Sequence, residues 1–405
     1  MSRRLPTVRH GVGFWIVAAT FLLVMAYSTV PTPLYPLYQQ LDGFPPFVIT
    51  VVFAAYAVGV IVSLYLAGHV SDWLGRRRVL LIAVLVSAVS AVLFSLTTEV
   101  PGLIVARFVN GVSIGMLTAT ATAHLGELRA RARPDENTIV AASISGAVNL
   151  GGLSLGPLLG GVFAEFLPDP LLLPHQVFLV ALLVAGLALL LVPETVDVPE
   201  TAPAYRPQRL SVPADTRRAF LLAAFGAFSA FSVLGLFTSL APTFLVQTFQ
   251  VRDHLLAGAT SFAVFASAAL GQLLLVKVGT RLQLSIAVAG CAVGLAAVAA
   301  GAIAPQLGVF LAGAGAVVSG FGVGLLFKGS IGTAVALADP ARRGETLAVV
   351  FLVAYTGLAV PALAAGAALN LVAATTVLTV FAALVLAATA TAGVLLRARS
   401  AAAGR

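Results

Sequence analysis

The chain of 405 residues is 60% hydrophobic and 9% charged, with a mean hydropathy of +1.05, whereas an ordinary soluble domain carries about 25% charged residues. These figures exclude a soluble globular class and point to an integral membrane protein. The net charge of +8 is therefore read by position along the chain, as an orientation signal, and no nucleic-acid partner is expected. The single cysteine, Cys291, lies in an apolar run and can form no intrachain disulfide.

A span needs about 20 apolar residues. The opening MSRRLPTVRH and the apolar stretch after it could imitate a secretory signal, but the run continues and others follow, so it reads as a retained first helix over 11–36. That helix ends in STVPTPLYPLY (28–38), whose prolines and tyrosines suit a kink at the membrane surface with interfacial anchors. A second helix, 47–67, leads into GHVSDWLGRRRVL (68–80). In that tight turn Gly68 and Gly75 permit close approach, Asp72 offers a carboxylate to the amide-rich start of a neighbouring helix, and Arg76 to Arg78 hold the loop inside.

Helix three is expected over 79–97 and helix four over 102–124. Helix four contains RFVNGVSIG (107–115), which puts Arg107 in an apolar span, where a charge is costly and functional by default. Snorkelling to the outer interface is the other reading, because Arg107 is only about five residues from the helix start. Helix five, 138–164, carries GGLSLGPLLGG (151–161), five glycines and a proline in a membrane helix. Glycine lets another helix come close, so the stretch is a packing device first. Helix six follows over 175–192. The polar connection 193–218, rich in proline and mixed charge, reads as a flexible linker. Six more helices are expected over 219–240, 255–276, 284–303, 307–336, 345–369 and 375–396.

The connections after helices two, four, six, eight and ten, with both termini, hold 20 of the 23 Lys and Arg residues, so that side is assigned to the cytoplasm. Arginine outnumbers lysine 21 to 2, which points to a GC-rich bacterial genome. The expected location is thus a bacterial inner membrane, crossed many times, with both termini cytoplasmic. VNGVSIGML (109–117) returns as VSGFGVGLL (318–326), and GLSLGPLLGG (152–161) as GLAVPALAAG (357–366). Separations of 209 and 205 residues nearly agree, as duplicated six-helix halves require. The expected organisation is a six-helix half over 1–192, a linker over 193–218 and a second six-helix half over 219–405.

No metal-ligand cluster, phosphate-binding loop or nucleophile with its base appears, and the five histidines are scattered. No enzyme activity and no cofactor are expected. Lys328 lies in the cytoplasmic third of helix ten, where a lysine can snorkel. Tyr27, Phe228, Phe231 and Phe327 can build an apolar, adaptable pocket, although such residues also serve as lipid-facing or core packing.

The spacing G-x-x-x-D-x-x-G-R-R-R through Gly68, Asp72, Gly75 and Arg76 resembles the signature loop of the major facilitator superfamily. The resemblance covers essentially the whole chain and extends to its twelve-helix drug:proton antiporters. It implies an all-α fold of two pseudo-symmetric six-helix halves, with helices one, four, seven and ten around the cavity. It also implies that the loop latches to the second half, here at RRGETL (342–347), and helps set the balance between outward-open and inward-open states. The loop between helices eight and nine keeps Gly271, Gly279 and Arg281 without an Asp, so the latch is one-sided. Arg107, Asn110, Gly111 and Gly115 resemble the helix-four motif associated with proton coupling. Gly152, Gly156, Pro157, Gly160 and Gly161 resemble the motif that separates antiporters from uptake symporters, and the end of helix one is similar to that of drug exporters.

One departure from the family matters. No Asp or Glu lies near the middle of any predicted span, since Glu127 and Glu165 are at ends and Glu345 begins helix eleven. Buried positive charge, Arg107 and Lys328, favours neutral or anionic cargo over cations. The expectation is a monomeric, proton-coupled multidrug efflux antiporter for small lipophilic compounds, working by alternating access in the lipid bilayer. A proton symporter importing an organic acid or sugar derivative, and a transport-inactive membrane sensor, are the rival readings.

Overall fold

The computed structural model describes the chain except residues 1–6, 198, 200, 202–203, 213–214, 276–277, 305–306, 340–341 and 403–405, and describes 138–139 and 400–402 by backbone alone. The chain ends and Lys277, assigned above to the cytoplasmic side, lie wholly or partly outside the described residues. Among the described residues every regular element is helical. The long helices are α1 His10–Thr29, α2 Pro46–Ala67, α3 Arg76–Leu96, α4 Val100–Ala132, α5 Thr138–Phe166, α6 Leu173–Leu189, α7 Arg217–Gly235, α8 His254–Leu274, α9 Thr280–Ile303, α10 Gly308–Leu337, α11 Arg343–Ala368 and α12 Ala374–Ala402.

Eleven of these, with α1 and α7 counted together with their continuations, are long and apolar enough to cross a membrane. The exception is α6, whose 17 residues reach about 25 Å at 1.5 Å per residue, short of a hydrocarbon core of about 30 Å. It starts two residues earlier than expected because Pro174 occupies the first turn, where a missing amide costs nothing, and it stops at Leu189.

Two expected helices are interrupted. The expected 11–36 helix ends at Thr29, passes through a 3-10 turn at Thr32–Leu34 and restarts as a short helix, Tyr35–Asp42. Pro31, Pro33 and Pro36 remove amides the ladder would need. The expected 219–240 helix becomes a π turn over Leu236–Leu240 and resumes at Ala241–Gln247, with Pro242 in the first turn of the restart. Pro157 and Pro361 lie inside α5 and α11, one place apart in the repeated motif.

Packing follows two sets. In the first, α1 rests on α4, α5 and α6, α2 and α3 on α4, and α3 on α6. In the second, α9 rests on α10 and α12, α7 and α8 on α10, and α7 on α11 and α12. The main joins between sets are α5 with α8 and α2 with α11. Residues 24–36 and 232–245 are buried on every side, whereas the earlier parts of α1 and α7 carry exposed positions such as Trp15 and Leu221. The interrupted ends of α1 and α7 therefore seal the molecule on the side away from the 193–218 linker.

Candidate functional site: a buried arginine and an aromatic path

Arg107 is 1% exposed and does not reach an interface. Its Nη1 donates to the Ser28 carbonyl oxygen at 2.7 Å, in the last turn of α1, where helix carbonyls lose their amide partners. The guanidinium carbon stands 5.1, 5.6 and 5.9 Å from the ring centres of Tyr56, Tyr35 and Phe53. No carboxylate pairs with it among the described residues, and its Nε has no hydrogen-bond partner. Three aromatic faces and one carbonyl thus stand in for a counter-ion.

Asn110, one turn further along α4, is equally buried and both amide atoms lack partners. Gly111 serves packing: a Cβ there would meet the Tyr56 carbonyl and, at 3.0 Å, the Val60 amide. Gly115 meets Val60 and Ser63 in the same way, and Gly59 of α2 meets α4 in return. This close approach of α2 to α4 holds Tyr56 over Arg107.

From Tyr56 a run of rings crosses into the second set of helices. Tyr56 meets Tyr355 at 6.5 Å, Tyr355 meets Phe231 at 5.4 Å, Phe231 meets Phe327 at 5.0 Å and Phe327 meets Phe351 at 6.1 Å. Apart from Tyr56 these rings are half-buried, in contrast to the sealed Arg107. Lys328, also half-buried, donates from Nζ to the Gln272 carbonyl of α8 at 3.0 Å. Of the expected pocket residues, Phe231 and Phe327 therefore meet directly and Lys328 adjoins Phe327 in sequence. Phe228 stacks on Phe225 and turns its backbone to Gly357. Tyr27 is elsewhere, bonded to His175 and packed on Phe178.

The 68–80 loop is braced within the first set. Gly75 has φ +102°, a conformation other residues avoid. Arg76 bonds Asp72 at 2.6 Å and Glu127 at 3.0 Å. Glu194 accepts from the Arg76 and Arg77 amides at 2.9 and 3.1 Å, capping the α3 start with a carboxylate supplied by the linker. The expected reach of Asp72 to 342–347 is not made in this structure: among the described residues the partner of its largely exposed side chain is Arg76. The linker is not free along its length either. Thr195 bonds Glu127, the Gln208 amide donates to the Tyr65 carbonyl at 2.7 Å, and the Tyr205 hydroxyl donates to the Leu66 carbonyl at 2.9 Å. Next to α4, the Arg129 guanidinium holds the Glu136 carboxyl below its usual range by direct hydrogen bonding.

The α5 glycines face two helices. A Cβ at Gly152, Gly156 or Gly160 would strike α1 at Met25, Ala26 or Val30 respectively. At Gly161 it would lie 2.7 Å from the His254 carbonyl of α8, and Gly258 of α8 meets the Pro157 carbonyl. Thus α5 is wedged between α1 and α8 next to the sealed end.

Tyr35, Phe53, Tyr56, Tyr355 and His175 escaped the sequence reading. Aromatic residues in apolar runs carry no signal of their own, and only Tyr35, within the proline-rich stretch, was marked by its surroundings.

The sequence model of the Major Facilitator Superfamily matches residues 16–362. The arabinose-proton symporter of Bacillus subtilis is 30% identical over 133 residues, 31% of this chain and 29% of that protein. The chloramphenicol resistance protein CraA of Acinetobacter baumannii is 27% identical over 239 residues, 56% of this chain and 54% of that protein. The matched stretches thus span under a third and about half of those relatives. In three dimensions the crystal structure of the nucleoside transporter NupG matches with a TM-score of 0.73 at 13% identity, covering 95% of this chain and 99% of that one.

Proposed function

The chain belongs to the Major Facilitator Superfamily, and from that premise we propose that it is a proton-driven exporter of small, lipophilic, neutral or anionic compounds. The observation that carries this reading is Arg107: a sealed cation without a carboxylate partner among the described residues, joined through Tyr56 to a half-buried aromatic run. Such a site repels cations, offers charge to an anion and gives an apolar cargo adaptable ring surfaces. The likeness to CraA supports export, and the likeness to the arabinose-proton symporter supports import as the second reading.

In the proposed cycle, residues 1–192 and 219–405 rock against each other as six-helix halves joined by 193–218, with the basic loops and both termini in the cytoplasm of a bacterial cell. The helix contacts, confined mainly to α5–α8 and α2–α11 between sets, support that division. In this reading the structure, shut on the side away from the linker, is the outward-closed member of the cycle. The 68–80 latch is released here and engages the start of α11 when the inner side closes. Arg107 responds to cargo charge, and the α5 glycines keep the outer side tight. Everted membrane vesicles acidified inside test this with labelled chloramphenicol: an exporter accumulates it, while an importer or a sensor does not.

A further inference from the structure

Coupling to protons needs a group that gains and loses one, and the carboxylates of the long helices lie at their ends, already engaged or at the surface. Glu127 is bound to Arg76 and Thr195, Glu165 accepts from the His254 amide at 3.1 Å, and Glu345 opens α11. His175, in the first turn of α6, differs from these: it is 0% exposed, and both ring nitrogens are occupied. Nδ1 lies 3.2 Å from the Tyr27 hydroxyl and Nε2 lies 3.1 Å from the Tyr38 hydroxyl. Phe94 of α3 stacks on the ring at 4.7 Å and 5°.

The two phenols belong to different elements. Tyr27 is in the last turns of α1, and Tyr38 is in the Tyr35–Asp42 helix that helps close the side away from the linker. That short helix touches its counterpart Ala241–Gln247 across the seal. His175 therefore clasps α1 and one lid helix to α6.

A neutral imidazole has one donor and one acceptor, so one phenol donates to it and the other accepts from it. A proton delivered by hydronium forms one new N–H bond at the accepting nitrogen as an O–H bond of the hydronium breaks and water leaves; both nitrogens then donate, so the phenol that had donated must turn its hydrogen to another acceptor. Tyr27 and Tyr38 on α1 and its continuation are the titratable groups facing the ring, α3 presents Phe94 to the ring and Ser90 to Tyr27, and Arg107 of α4 is the charged group within electrostatic reach. That charge has the same sign as an imidazolium, and among the described residues no carboxylate pairs with either group. The shut clasp fits a neutral ring and opposes a charged one, whereas water reaching an opened outer side would solvate it.

We propose that His175 is the proton-binding residue of the gate, and that its protonation releases the Tyr27–His175–Tyr38 clasp and opens the side away from the linker. Arg107 grips the carbonyl of Ser28, the residue after Tyr27, so proton and cargo act on adjacent residues of α1. The place of this step in transport rests on the proton-driven reading above, but the gate can be measured without cargo.

Spin labels on Leu41→Cys and Gln247→Cys, both exposed and on opposing lid helices, in a Cys291→Ser background, report the gate by pulsed electron resonance in nanodiscs. Acidification from about pH 8 to about pH 5.5, across the usual histidine range, is expected to populate a longer distance. His175→Gln is expected to hold one distribution at both pH values. Tyr38→Phe keeps the histidine but leaves one nitrogen without its phenol, and is expected to populate the longer distance already at pH 8. A pH response in His175→Gln equal to that of the parent, a parent with no response, or Tyr38→Phe indistinguishable from the parent overturns the proposal. A pH-responsive gate without gradient-driven chloramphenicol uptake in everted vesicles sinks the exporter reading and leaves the gate assignment standing.

Discussion

Replacing Arg107 by alanine separates the two things a buried cation does, holding the fold and handling cargo. Its hydrogen bond to Ser28, at 2.7 Å, contributes about 1.5–3 kcal/mol, as bonds to charged groups do. The three rings at 5.1, 5.6 and 5.9 Å add about 0.5–2 kcal/mol each, desolvation favouring the upper end. Against these stands the cost of keeping an uncompensated cation out of water, several kcal/mol. The terms offset, so Arg107→Ala is expected to change folding stability by no more than about 2 kcal/mol. Transport should respond far more. A charge-assisted hydrogen bond of about 3 kcal/mol lost from a polar group of the cargo in transit corresponds to about a hundredfold slower gradient-driven movement, at 1.36 kcal/mol per tenfold. Arg107→Lys keeps the charge without the planar fork and should retain part of the activity. The assay is gradient-driven chloramphenicol uptake in everted vesicles, with exchange measured without a gradient alongside. If Arg107→Ala follows the gradient within about threefold of the parent, a difference of about 0.7 kcal/mol, the coupling role assigned to Arg107 is wrong. Exchange that survives while gradient-driven uptake is lost would place Arg107 in the proton-linked step.

Asp72→Asn removes the largely exposed carboxylate of the ion pair with Arg76, worth about 0–1 kcal/mol to the resting fold. Membrane insertion should be normal and transport reduced, and parental transport rates in vesicles would refute the latch. Gly156→Val should lower the thermal unfolding midpoint, because its Cβ meets the Ala26 carbonyl and overpacking costs about 1–3 kcal/mol. Gly151→Val, on the same helix with open space around it, should be close to neutral, and equal effects at both positions would contradict the wedge of α5 on α1. For topology, an impermeant thiol reagent added outside intact cells should label Asp253→Cys and miss Thr201→Cys, in a Cys291→Ser background. Labelling at residue 201 would reverse the orientation.

Runs of about 20 apolar residues separated by charged loops made the helices legible, because a bilayer demands that length. The interruptions in the first and seventh helices were legible only in part. The prolines at 31, 33, 36 and 242 are visible in the sequence, but that the chain accommodates Pro242 by a π turn over Leu236–Leu240 rather than by a simple kink is not. Arg107 stood out because a charge in an apolar helix is costly wherever it points. Its ring partners did not, since Phe53 and Tyr56 look like any aromatic in a membrane span. Tyr27 was expected near cargo and instead holds His175, 148 positions away, a pairing that spacing along the chain cannot reveal. The partners of Glu194 likewise depend on where α3 and α4 begin and end in space.

The linker's attachments also set a mechanical limit on how far the structure can move. Its last observed peg to α2 is Gln208, and α7 begins at Arg217. The few residues between them can stretch to about 30 Å at most, at roughly 3.3–3.6 Å each. The connection is therefore a short leash, moored to the end of α2 beside the start of α11. Any swing that parts the two sets of helices on the linker side is bounded by tether length as well as by the surfaces that slide.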